Sequence, residues 1–312
     1  MFDGKELLYT VRQLLQEGST SIFLDDKSSY DFIYEAVCEF VSKTRLLTGE
    51  DTITSNATVS EYKLSPSFLA LYAMNDYNEY VIKYYDNTSY YWPIYREYNA
   101  VWTANNTNQA SVPNNFSIKD YSTSPSNVTG VCTATAALSV GIANLTASSS
   151  TFVTDEVSAG DSIHNTTDGS DGIVLSVTSE IVIKTALFNG TNDYWTTGDS
   201  FIITKQPRKE LVIDPPSLTS GHTMTVPYIQ KPDPVYTAYG AYRVPSQYMP
   251  AICKYAAWLY KYRDREPNFG DAWYKFWDMK LREANHNENR DPSRRVWRVN
   301  MRKTTMRDRS YR

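Results

Sequence analysis

The chain has 312 residues, 21% of them charged and 41% hydrophobic, and a formal net charge of −4. That length can bury a sizeable core and suggests one to three domains of an ordinary soluble protein. No run approaches the ~20 apolar residues of a membrane span, so a spanning protein is excluded as a reading. Residues 4–17 place Leu7, Leu8, Val11, Leu14 and Leu15 on one face and predict a short helix. Gly18-Ser19-Thr20 ends it. Residues 26–47 then carry Ile33, Val37, Phe40 and Val41 at helical spacing, with Asp25 or Asp26 available to cap the first turn and Gly49 to stop the last. These two helices are expected to form a hairpin.

Residues 50–102 change period. Thr52-Ile53-Thr54, Glu61–Leu64 and Tyr80–Tyr85 read as strands, and Tyr90-Tyr91-Trp92-Pro93 follows a turn. Residues 103–130 are Asn, Ser, Thr and Pro with few apolar anchors, and read as an irregular linker. Residues 131–204 hold six strand-like runs separated by Gly-Asp, Asp-Gly and Asn-Gly turns, which predicts an inserted small β-barrel or sandwich. Leu211–Ile213 and Thr223–Val226 look like a strand pair, after which Pro227, Pro232 and Pro234 argue against regular structure. Residues 246–286 return to helical stripes, Ile252, Tyr255, Ala256 and Leu259, then Trp273, Phe276, Trp277 and Leu281. The expected class is therefore α+β. A helical bundle made from the N- and C-terminal hairpins, with strands between, forms one domain from residues 1–102 and 205–289. The insert covers 131–204, and a basic segment covers 290–312.

The 25 tyrosines suit either half-buried strands or surfaces buried against partners, because each ring is broad and apolar with a polar tip. The opening MFDGKELLYTV lacks a basic region and an apolar run, so the chain is expected to be made in the cytosol. Cys38, Cys132 and Cys253 are odd in number and far apart, and read as reduced, packed thiols. The N-x-[ST] triplets then reflect composition alone.

Candidate chemistry is sparse. Asp161, His164, Asp168 and Asp171 offer closely spaced ligand types for a metal ion, yet lack the ligand pattern of a calcium hand; turn-forming Asp and Asn explain the run equally well. Glu35 and Glu39 could pair for acid–base work, but a solvated helix face explains them better. His164, His222 and His286 stand near no nucleophile in sequence, and no catalytic motif is present. Neither an enzyme activity nor a cofactor is expected. A glycosidase would need a carboxylate pair that the sequence does not identify. Tyr194 and Trp195 could stack on sugar or simply pack in a core.

The segment 290–312 holds nine basic residues, Arg290, Arg294, Arg295, Arg298, Arg302, Lys303, Arg307, Arg309 and Arg312, against two acidic ones. Its charge is about +7, which leaves about −11 on the rest of the chain's −4 total. Val296 and Trp297 lie among the basic residues, so the segment reads as a docking element for an acidic protein groove. Contact with DNA phosphates, or a plain solvated end, remain open beside it.

Together these pieces resemble the head-to-tail adaptor, or connector, proteins of tailed bacteriophages. The resemblance rests on TVRQLLQEGSTSIFLDDKSSYDFIYEAVCEFVSKTRLLTGEDTIT and SEYKLSPSFLAL, then ELVIDPPS, TVPYIQKPDPV and VPSQYMPAICKYAAWLYKYRDRE. It covers about residues 4–100 and 205–288, and the insert departs from the simplest members. It implies a ring, usually of twelve copies, beneath the portal protein, which extends the DNA channel and receives the tail proteins. The chain would then be a virion component assembled in the host cytoplasm. The other class considered is a tail-fibre or baseplate module that meets host polysaccharide through the β insert.

Overall fold

The computed structural model describes residues 2–17, 24–74, 79–99, 112–120, 126–136, 138–263 and 270–288. Four α-helices are placed: α1 (Gly4–Leu15), α2 (Asp26–Thr44), α3 (Met249–Arg263) and α4 (Asp271–Glu288). Asp3 caps α1 by accepting from the Glu6 N–H at 2.8 Å, and Asp25 caps α2 by accepting from Ser28 at 3.0 Å. These short carboxylates satisfy N–H groups that have no partner within the helix. Arg45, at φ 56°, turns the chain out of α2, so the stop lies four residues before Gly49.

Three sheets carry the rest. In the first, β15 (Thr223–Gln230) pairs along its length with β1 (Thr48–Thr54), and on its other side with β3 (Phe68–Leu71) and β4 (Lys83–Tyr85); β5 (Tyr90–Tyr91) then adds to β4. The second runs β2 (Glu61–Lys63), β14 (Lys209–Asp214), β7 (Asn115–Asp120), β6 (Ile94–Tyr95). Leu64, Ile82, Tyr84, Phe116, Leu211, Ile213, Met224 and Val226 form one buried cluster that draws on both sheets, which therefore pack face to face. The third is a six-stranded antiparallel sheet. Its order is β8 (Val128–Val131), β13 (Ser200–Thr204), β10 (Ser162–Asn165), β11 (Ser170–Ser179), β12 (Val182–Phe188), β9 (Ala143–Thr146).

This architecture overturns the expected helical bundle. Fifteen strands in three sheets carry most of the regular structure among the described residues, and the four helices form one layer at the side of the sheets. The C-terminal pair does pack together, Tyr255 of α3 stacking on Trp277 of α4 at 4.1 Å, but the N-terminal pair is not a hairpin. α1 and α2 each pack more closely on α3 than on one another, so α3 is the hub of the layer. Ile229 of β15, with Val235, Tyr242 and Val244 from the following connection, fills the helix core as well. The apolar stripes were visible because helical period repeats over many residues. The short strands, rich in Tyr and Thr, gave a weaker signal.

Other expectations are corrected in detail. Leu211–Ile213 and Thr223–Val226 are strands, but they lie in different sheets. β15 runs through Pro227, whose carbonyl accepts from Tyr72 at 3.3 Å. Residues 115–120, expected within a linker, form β7, which lies between β14 and β6. The third sheet is one curled sheet, a half-barrel, and not a sandwich of two. It curls until Thr133, just past β8, donates its N–H to Thr146 of β9 at 2.7 Å. The curl encloses a core of Leu145, Phe152, Trp195, Phe201 and Ile203.

The chain enters and leaves the third sheet through adjacent strands. β7 and β14 are antiparallel neighbours, with Asp120 opposite Lys209 and a 2.5 Å ion pair between their side chains. Beyond this neck the third sheet leans on the helix layer. Phe188, Ile173 and Ala186 meet Tyr30 and Tyr236, and Asn189 donates to Asp25 at 2.5 Å. Joining Asp120 to Lys209 by a short Gly-Ser link should leave the helical circular dichroism intact. It should also lower the melting point, because Tyr30 and Tyr236 lose part of their cover, worth roughly 1–3 kcal/mol. Collapse of the helical signal would show that the helix layer depends on the third sheet.

Candidate interaction surfaces

The richest exposed chemistry lies at one edge of the first sheet. β4 and β5 pair Tyr84 with Tyr91 and Tyr85 with Tyr90. Tyr84 points inward and is fully buried. Its hydroxyl lies 2.9 Å from Ser217 Oγ and 2.7 Å from His222 Nδ1. Ser217 spends its own proton on the Thr219 carbonyl at 2.8 Å. Tyr84 therefore donates to Ser217 and accepts from His222, which assigns the Nδ1–H form to that ring. This knot fixes the strand from below.

Above it the rings are open. Tyr90 and Trp92 are 56% and 59% exposed, and Tyr72 and Tyr91 are 41% and 36%. Tyr85 and Tyr90 lie 4.6 Å apart, with the Lys83 ammonium 4.2 Å over Tyr90. Beside them β1, β15 and β4 contribute to a groove of about 590 Å³, lined by Tyr72, Trp92, Glu50 and Lys83 among others. The sequence reading passed over this surface. Its signal was the run Tyr90-Tyr91-Trp92, because strand alternation sends neighbouring residues to opposite faces and so must expose part of such a run.

The residues singled out from sequence go elsewhere. Asp161 is buried and accepts from Ser158 and from the Gln206 N–H. Burial raises its pKa, against the lowering pull of those bonds and of Arg208. Asp168 accepts from Asn165 and Asn192. His164 and Asp171 form a separate exposed pair at 2.8 Å. Among the described residues no group of three or more His, Cys, Asp or Glu is placed to hold a metal. These acids close turns: Asp161 and Asp199 each accept from the residue three positions earlier and follow a left-handed glycine, Gly160 or Gly198.

Glu39 accepts from Tyr255 at 2.6 Å and pairs with Lys43 at 2.6 Å, which pins α2 to α3. Burial, then the Glu39 carboxylate, pushes the Tyr255 hydroxyl upward. Glu35 is exposed and does not share this arrangement. Trp195 is fully buried and donates Nε1–H to Thr185 at 3.0 Å, so it packs in the core and offers no face to a sugar; Tyr194 is 37% exposed. The three cysteines are free, and burial pushes the Cys38 thiol to about 11 and the Cys253 thiol to about 12. Both are protonated at neutral pH and poor nucleophiles. Arg290 through Arg312, with Val296 and Trp297, lie outside the described residues. Among those that are described, no helix is long and apolar enough to cross a membrane.

No family model matches the chain, and no curated protein matches it significantly.

Proposed function

We propose that the chain is a structural subunit of a tailed-phage particle, a head-to-tail adaptor that forms a ring beneath the portal, and that it is not an enzyme. The observation that carries this reading is a division of labour within one chain. A segment of about +7 bearing Trp297 accompanies a body of about −11 whose best-formed surface is an exposed aromatic edge. Exposed Tyr and Trp at a sheet edge suit lasting contact with protein. A strongly basic segment gathered many times in a ring repels its own copies and needs opposite charge, which an acidic portal groove supplies. The apolar pair Val296 and Trp297 favours that groove over DNA, because phosphate contacts need no apolar anchor.

Deleting residues 290–312 should leave the remaining chain folded and abolish attachment to portal-bearing heads. Trp297→Ala, with all charges kept, should retain only part of the attachment. Full attachment by the shortened chain would remove the docking claim. Binding that instead tracks affinity for bare DNA, with a steep salt dependence, would assign the segment to the channel's DNA.

A further inference from the structure

We propose that the aromatic groove of the first sheet receives the Val140 hairpin tip of a second copy, and that this is the repeating contact of the ring; the inference rests on the adaptor reading above. The groove's walls carry one acid, Glu50, and one base, Lys83. Its charge is balanced, so neither a polyanion nor the basic segment finds a net counter-charge there. Its exposed chemistry is aromatic. A Tyr or Trp covers about 150–250 Å² when fully buried. With the exposures given above, Tyr72 and Trp92 of the groove and Tyr90 beside it offer roughly 300 Å². That is over a third of the ~800 Å² that each partner contributes to a stable interface. The groove therefore fits a protein surface with a compact apolar projection.

The chain carries such a projection. Ser139 and Ile142 exchange backbone bonds at 3.1 and 2.9 Å around a two-residue turn, Val140-Gly141. Both central residues have positive φ, 58° and 78°. This turn geometry favours Asn-Gly, and a β-branched residue at positive φ is strained. Val140 nevertheless occupies the position and is 54% exposed, beside Leu138 at 49%. A residue that costs stability and also shows an apolar side chain to water is accounted for by a contact made outside the monomer. The tip is braced: a Cβ built on Gly141 would lie 3.8 Å from the Thr237 side chain of the body. Groove and tip are different surfaces, so the contact runs head to tail and closes into a ring where the rotation allows.

The test is sedimentation velocity on purified wild type, Trp92→Ala and Val140→Asn. Val140→Asn relieves the turn and should melt at or above the wild-type temperature, so any loss of assembly cannot be loss of fold. Each variant should weaken self-association by about tenfold or more, as truncation of a central interface residue does. A wild type that stays monomeric overturns both the contact and the ring. Rings in wild type and in both variants overturn the contact alone. Intact variant rings that fail to attach to heads also overturn it, and would give the groove to another virion protein.

Discussion

Val37→Asp should destabilise the protein by about 3–5 kcal/mol, enough to unfold most of the helix layer, since whole domains are stable by only about 5–15 kcal/mol. Val37 has no exposed surface and belongs to the cluster that joins α2 to α3, with Phe40, Ile252 and Ala256. An ionised carboxylate there leaves water for an apolar site. Burial would raise its folded-state pKa above the unfolded value. The penalty is then absent where both states are protonated, and it grows as pH rises from about 4 through the folded pKa. Thermal melts of Val37→Asp should therefore approach wild type as pH falls toward 4. Val37→Ala, which removes two methyl groups and adds no charge, should cost far less. A Val37→Asp protein that melts like wild type at neutral pH would mean that this face of α2 is not the buried one.

The second large effect is expected at Trp195→Ala, at about 3–5 kcal/mol. The ring is fully buried, meets Phe201 edge to face at 6.1 Å and donates to Thr185, whose own hydroxyl donates to the Ala143 carbonyl at 2.9 Å. Truncation leaves a cavity at the centre of the curled sheet and takes away a donor that links its residues. That sheet has a core cluster of its own, distinct from the helix core. Hydrogen exchange should therefore show β10 to β13 opening while α2 and α3 stay protected. Uniform loss of protection in both regions would show that the two cores fold as one unit.

The helices were legible because their apolar spacing persists for three or more turns, and because Asp25 stands where a cap is needed. The hub role of α3 was not legible, since a stripe says that a face is buried and not against what. β7 was hidden for a different reason. Phe116 and Ile118 alternate for only six residues within an Asn-rich stretch, and the strand is stabilised by β14, almost a hundred residues away. Trp195 illustrates a third limit: an aromatic pair after an Asn-Gly turn can serve as a core anchor or a ligand platform, and only the curl of the sheet decides between them. The open rings at Tyr90 and Trp92 followed from alternation, but the groove beside them needs β1 and β15, which are far apart in the chain.

The neck formed by β7 and β14 has a mechanical consequence. Both strands leave the second sheet at the same end, so tension applied to the curled sheet draws them the same way along their length. Their mutual bonds carry little of that load. The load falls instead on the flanks, where β14 must slide past β2 and β7 past β6. Bonds strained by sliding yield together, whereas bonds strained by peeling yield one at a time. Sliding would also drag Phe116, Leu211 and Ile213 out of the core they share with the first sheet. The tether thus resists extraction while its two ends stay side by side.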